Sequence, residues 1–269
     1  MTRFLVVPQW QGSPAARAML LAEGAETIAG DLPRAGRTAV EVPVEAGESL
    51  ETGIRRFSAL TRVRDAMSEE LDASPEPAVI VGGDCSVAVA AIAHAAARHP
   101  GLAVVWFDAH GDLHSPQTSS SGAFAGMALR AVFEEGPWGS ASVSADRVVL
   151  AGAREFDPAE ADVLRSSALA HVPVDALAEP TTIADAVAAS GADEVYVHID
   201  LDVLDPAVLA GVSQAIPFGA RGEDVAGAIR ELRRRFPLVG SSISGFAPAT
   251  PEAAVDDLGT ILRIVGALA

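Results

Sequence analysis

Lysine is absent from this 269-residue chain, and all 19 basic residues are arginine. That excludes Schiff-base chemistry and any lysine general base. Positive charge is also scarce. The 19 basic residues face 36 acidic ones, a net charge of −17, and a nucleic-acid partner is excluded because phosphate binding needs a basic surface. Cysteine occurs once, at Cys85, so no intramolecular disulfide framework exists. Long apolar runs are missing too. No window approaches the roughly 20 residues of a membrane span, and no membrane role is expected. The segment Met1–Arg3 leads straight into the strand-like Phe4–Val7 without a leader's apolar stretch and cleavage pattern, so a cytoplasmic protein is expected. Aromatic residues make up only 5% of the chain.

What the chain does have is aliphatic bulk. Hydrophobic residues make up 49%, enough for a substantial core. Short β-branched runs alternate with longer Ala-rich amphipathic stretches. The runs at 4–7, 40–44, 78–81, 102–107, 148–151, 195–199 and 239–243, with a weaker one at 171–174, read as strands. The intervening stretches at about 14–30, 50–72, 86–98, 122–135, 158–168, 181–190, 221–235 and 252–268 read as helices. Strand–helix alternation throughout predicts a parallel sheet covered on both faces. No linker or repeat interrupts the order, so residues 1–269 are expected to form a single α/β domain.

The chemistry-bearing residues gather where apolar strands run out. The run at 78–81 gives way to Gly82-Gly83-Asp84-Cys85-Ser86. The run at 102–107 leads into Asp108-Ala109-His110-Gly111-Asp112-Leu113-His114, and the run at 195–199 into Asp200-Leu201-Asp202-Val203-Leu204-Asp205-Pro206. Ligands of open α/β sheets collect at these carboxyl ends. Alternate residues of an extended segment share a face, so Asp108, His110 and Asp112 can converge, and Asp200 and Asp202 repeat the pattern. Four carboxylates gathered beside one imidazole without further compensation would repel one another. Divalent cations relieve that, and carboxylate–imidazole sites suit metals such as Mn²⁺. Helix capping is the ordinary role of a lone Asp after a strand, but it does not account for five such groups together. Asp205-Pro206 reads as a turn.

In this order and spacing, Gly-Gly-Asp-x-Ser, Asp-Ala-His-x-Asp and Asp-x-Asp-x-x-Asp-Pro resemble the arginase/agmatinase ureohydrolases, and the resemblance covers essentially the whole chain. It implies a three-layer α/β/α fold around a parallel sheet of about eight strands, with two Mn²⁺ ions per chain. Asp108 and Asp200 would bridge the metals. Asp112 and Cys85 would complete one site, and His110 and Asp202 the other. Two cations ~3.5–4 Å apart make water between them a nucleophile near neutral pH, so no protein nucleophile is required. Asp112 and His114 are the expected catalytic residues. The resemblance also implies frequent homo-oligomers.

Departures from the family pattern shape the expected substrate. The family usually has His where this chain has Cys85. A thiolate there would add negative charge and favour softer metals, whereas a bystander would be a neutral buried thiol. Ala123 and Ala125 replace an Asn and the His that shuttles protons. His114 stands where an Asn touches the substrate carboxylate, and it suits proton transfer beside a metal cluster. Gly245 stands in place of a guanidinium-binding Glu, and Glu252, a few residues on, reads equally as a substitute for it or as a first-turn acid of a helix. Ser121 matches a carboxylate-binding Ser, and Asp157 matches an Asp that binds the α-amino group, although Asp157-Pro158 also reads as a helix start. The expected partner is therefore a small-molecule guanidino amino acid less basic than arginine. Nω-hydroxy-L-arginine, cleaved to hydroxyurea and ornithine, fits best, with arginase or agmatinase activity next. A non-catalytic member of the fold is the alternative of another class.

Overall fold

In the computed structural model, which describes residues 2–269, eight parallel strands form one sheet. They are β1 (Arg3–Val7), β2 (Arg37–Ala39), β3 (Ala78–Gly82), β4 (Leu102–Phe107), β5 (Val148–Ala151), β6 (Ala170–Val172), β7 (Glu194–Asp200) and β8 (Leu238–Ser244). Their spatial order is β2-β1-β3-β8-β7-β4-β5-β6. The helices between them are α1 (Met19–Gly30), α2 (Phe57–Asp72), α3 (Val87–Ala96), α4 (Ala128–Phe133), α5 (Pro158–Ser166), α6 (Thr181–Ala189), α7 (Gly222–Arg235) and α8 (Pro251–Leu268).

Strand periodicity divides the apolar residues between two layers. Phe4, Val79, Val81, Val105, Phe107, Val197 and Ile199 pack with apolar residues of α1, α6, α7 and α8. Their neighbours Leu5, Ile80, Val104, Trp106, Leu150 and Tyr196 face α2, α3 and α4. With both faces covered, the strands are continuously apolar: every residue of β3 and β4 is buried. Helix ends follow their charges and caps. Helix α7 carries Glu223 and Asp224 in its first turn and Arg233–Arg235 in its last, complementing the helix dipole. Asp157 and Glu160 close a capping box on α5, with Pro158 in its first turn. Among the described residues, no helix is long and apolar enough to cross a membrane.

Several boundaries differ from those expected. The second strand is Arg37–Ala39 rather than 40–44. Val40 still donates its N–H to Val6 O, but the next residue on the facing side of the neighbouring strand is Pro8, which has no N–H with which to extend the ladder. Helix α2 begins at Phe57, not near 50, because Leu50, Glu51, Gly53 and Arg56 all have positive φ, which no right-handed helix admits. Helix α1 starts at Met19 rather than near 14. The stretch expected as a helix over 122–135 is a single 3₁₀ turn, Ala125–Met127, followed by α4.

Candidate metal centre

Four adjacent central strands, β3, β8, β7 and β4, bring the acidic motifs to one end of the sheet. Cys85 follows β3, Gly245 follows β8, Asp200 ends β7 with Asp202 in the next turn, and Asp108 follows β4. Together with His110, Asp112, His114, Ser119–Ser121, Ser213 and Gln214 they line a cleft of about 210 Å³.

Three groups of possible ligand atoms have their members within 4.8 Å of one another: Cys85, Asp108 and Asp200; Asp108, His110 and Asp202; and, off the strand ends, His114, Asp157 and Glu160. Asp108 belongs to the first two. His110 Nδ1 lies 2.9 Å from Asp202 Oδ2 and 3.3 Å from Asp108 Oδ1. The carboxylates are oriented from below and behind. Trp106 Nε1 donates to Asp108 Oδ2 at 3.1 Å, Ala109 N to Asp202 Oδ1 at 3.0 Å and Ser244 Oγ to Asp200 Oδ2 at 3.2 Å. The fully buried His198 packs against Trp106 with its ring tilted by 40° and pairs with Ser242 at 2.7 Å. Burial pushes His198 down to about 3, so it is neutral.

Without a cation the electrostatics of this cluster are unbalanced. Burial first, then the charge of Asp202, pushes Asp200 up to about 8. Burial and the charge of Asp108 raise Asp112 well above the carboxylate range, and the same two causes raise Asp202. Burial works against the charged form of His110, but bonds to Asp108 and Asp202 and their charges push it up to about 12. Burial, then Asp112 and Asp200, raise the Cys85 thiol, which donates to Asp112 Oδ2 at 3.2 Å. Cations entering such a cluster supply the missing positive charge. The donor set of hard carboxylates, one imidazole and one sulfur fits divalent first-row metals.

Asp112 reaches the site by a route that period-two alternation does not describe. Its φ is +52°, so the chain turns rather than staying extended, and its carboxylate meets Cys85. His114 and Asp157 face each other, with Nε2 2.8 Å from Asp157 Oδ2. His114 Nδ1 lies 3.1 Å from Thr118 Oγ1. The other oxygen of Asp157 accepts the N–H groups of Ala159 and Glu160, so the residue caps α5 while holding His114. Ser121 lines the cleft, its Oγ accepting the Ala123 N–H at 3.1 Å. Glu252 does not line the cleft; it is exposed in the first turn of α8. Asp205 accepts the N–H groups of Ala207 and Gly219, as a turn residue should.

Two features of the site went unseen in the sequence. The guanidinium of Arg154 donates to the carbonyls of Asp202, Val203 and Leu204 and to those of Ile216 and Pro217, tying the Asp202 turn to the end of the loop that carries Ser213 and Gln214. Glu160 accepts the N–H of Leu113 at 3.1 Å, anchoring the segment between Asp112 and His114. The capping-box spacing was there to signal Glu160. Nothing local signals these distant partners of Arg154, which lie 48 or more residues away.

Comparison with known proteins agrees with this geometry. The Arginase family model matches residues 15–259. An arginase of Staphylococcus aureus (strain MRSA252) is 28% identical over 189 residues, 65% of this chain and 63% of that protein, so the chain matches just under two thirds of its length. The N(omega)-hydroxy-L-arginine amidinohydrolase of Streptomyces lavendulae is 30% identical over 210 residues, 77% of this chain and 74% of the relative. The crystal structure of Entamoeba histolytica arginase in complex with L-ornithine superposes with a TM-score of 0.86 at 20% identity, covering 100% of this chain and 99% of that one. At that identity the likeness speaks for the fold. With a family match running through all three acidic motifs, and those motifs meeting in one cleft, the chain belongs to the arginase family.

Proposed function

We propose that this chain is a binuclear-metal amidinohydrolase that cleaves Nω-hydroxy-L-arginine to hydroxyurea and L-ornithine. The observation that carries the metal centre is the pair of ligand groups sharing Asp108. Asp108 and Asp200 would bridge two Mn²⁺ ions, with Cys85 and Asp112 completing one site and His110 and Asp202 the other. Bound there, the cations supply Lewis-acid activation of water for attack on the guanidino carbon. The protein's part is to hold the substrate and carry the proton. The bond from that carbon to the δ-nitrogen breaks, and the δ-nitrogen leaves as an amine after taking a proton. Asp112 and His114 are the cleft-lining groups proposed to handle it, while His114, Ser121 and Asp157 orient the amino-acid end.

The preference for a weakly basic substrate rests on which carboxylates remain free. Six acids line the cleft: Asp84, Asp108, Asp112, Glu160, Asp200 and Asp202. Four are proposed ligands. Asp84 accepts from Gly12, Gln9 and Ser86, and Glu160 from Leu113 and Asp157. None remains to pair with a full guanidinium charge, a bond typically contributing about 1.5–3 kcal/mol. A hydroxyguanidine, more readily neutral, needs that partner less. Values of kcat/KM for Nω-hydroxy-L-arginine, L-arginine and agmatine with Mn²⁺ supplied test the reading. The expected order is as written, and a preference for arginine or agmatine would return the chain to ordinary ureohydrolase activity.

A further inference from the structure

Every titratable side chain lining the cleft is an acid, a histidine or Cys85, and among the described residues no arginine lines it. An amino-acid substrate must nonetheless place a carboxylate near its mouth. We propose that Arg55 supplies the missing cation, binding the substrate carboxylate together with the Ser119–Ser121 rim. This rests on the amino-acid substrate proposed above.

Three observations point to Arg55. Its backbone N–H donates to Gly122 O at 2.7 Å, and its stem lies against Gly122, with Cγ 3.2 Å and Cδ 3.5 Å from where a β-carbon on that glycine would sit. Gly122 directly follows Ser121 of the cleft wall, so the side chain runs along the rim. The residue is exposed, and its guanidinium makes no salt bridge or side-chain hydrogen bond among the described residues. The two other arginines nearby are engaged. Arg56 donates to Gln11 O and Ser13 O beside the Trp10 ring, and Arg130 donates to Glu134 and Leu113 O.

The third observation is backbone strain. Five non-glycine residues have positive φ, and three of them, Leu50, Glu51 and Arg56, fall in the loop that presents Arg55. Such conformations persist only where surrounding structure enforces them, and they gather at ligand-holding segments. Here the enforcement comes from Arg56 bound to the 11–13 segment and from Gly53 packed on Pro116. A planar guanidinium carried on such a loop is suited to bidentate carboxylate recognition, and Ser119 and Ser121, which precede Gly122 on the cleft wall, offer hydroxyls to the same carboxylate.

The test compares wild type, Arg55→Gln and Arg55→Lys on Nω-hydroxy-L-arginine and on its carboxamide, which lacks the negative charge. Arg55→Gln should raise KM for the acid about tenfold, with the loss on KM rather than kcat, and should leave KM for the carboxamide within twofold. Arg55→Lys should recover part of the difference, since it keeps the charge without the fork. Titration calorimetry with L-ornithine and its carboxamide reads the same site without turnover. Ornithine affinity that falls in Arg55→Gln in a protein that hydrolyses neither substrate would overturn the functional reading and uphold the carboxylate site. Equal effects on acid and carboxamide, or none on either, would overturn the carboxylate site.

Discussion

The position a β-carbon would take on Gly245 lies 2.1 Å from Asp200 Oδ1. The glycine at the end of β8 therefore gives the Asp200 carboxylate its room, and its φ of +90° is one that side chains rarely adopt. A Glu here does not simply restore a guanidinium partner, because its β-carbon must first displace a proposed metal ligand. Gly245→Ala should lower stability by about 1–3 kcal/mol and reduce metal content, and Gly245→Glu should lose activity on arginine and hydroxyarginine alike. Thermal unfolding and elemental analysis check the first. An active Gly245→Glu protein with shifted preference would show that β8 can move aside.

Arg154 should prove a positioning residue. Removing its guanidinium strips donors from the carbonyls of Asp202, Leu204 and Ile216, costing about 2–3 kcal/mol. Beyond that general loss, Arg154→Ala should weaken the metal proposed at His110 and Asp202 more than the one proposed at Cys85 and Asp112. Stepwise Mn²⁺ titration separates the two, and equal weakening of both would reduce Arg154 to a general structural role.

Much of the fold was legible, as was the gathering of the acidic motifs. Strand–helix alternation predicted the parallel sheet, and the strand-end positions of Asp108, His110, Asp200 and Asp202 predicted that these groups meet. Less legible was whatever depends on partners distant in sequence. Pairing with His114 gives Asp157 a second partner besides its helix cap, and that contact joins two loops no local pattern relates. Asp112 arrives through a left-handed turn, a conformation that Gly111-Asp112-Leu113 does not announce. The edge strand stops at Ala39, where Pro8 of its neighbour has no N–H to carry the ladder on.

Stability of the chelated protein should fall as pH rises. Asp200 binds its proton more tightly folded, at about 8 against an ordinary 3.8, and His110 likewise at about 12 against 6.5. Each contribution is complete below the unfolded value and is lost as pH climbs toward the folded one. The melting temperature in chelator should therefore decline from pH 5 to pH 8. Saturating Mn²⁺ should flatten or reverse the slope, because the cations bind the deprotonated groups. A melting temperature that rises with pH in chelator would contradict the uncompensated cluster.

Cys85 should act as a ligand that must first lose its proton. Its thiol is held protonated by burial and by Asp112 and Asp200, so binding through sulfur releases a proton that Cys85→Ser cannot release. Zn²⁺ binding followed with a pH indicator should show about one extra proton from wild type. Cys85→His should tighten Mn²⁺, for which imidazole is the better donor. Identical proton release together with unchanged Mn²⁺ titration would make Cys85 a bystander.

Metal stoichiometry tests the shared-ligand centre most directly. Asp108 belongs to both strand-end ligand groups and Asp202 to one. Elemental analysis after Mn²⁺ loading should find two metals in wild type, about one in Asp202→Asn and none in Asp108→Asn, with circular dichroism confirming that all three are folded. Two metals retained in folded Asp108→Asn would contradict the account.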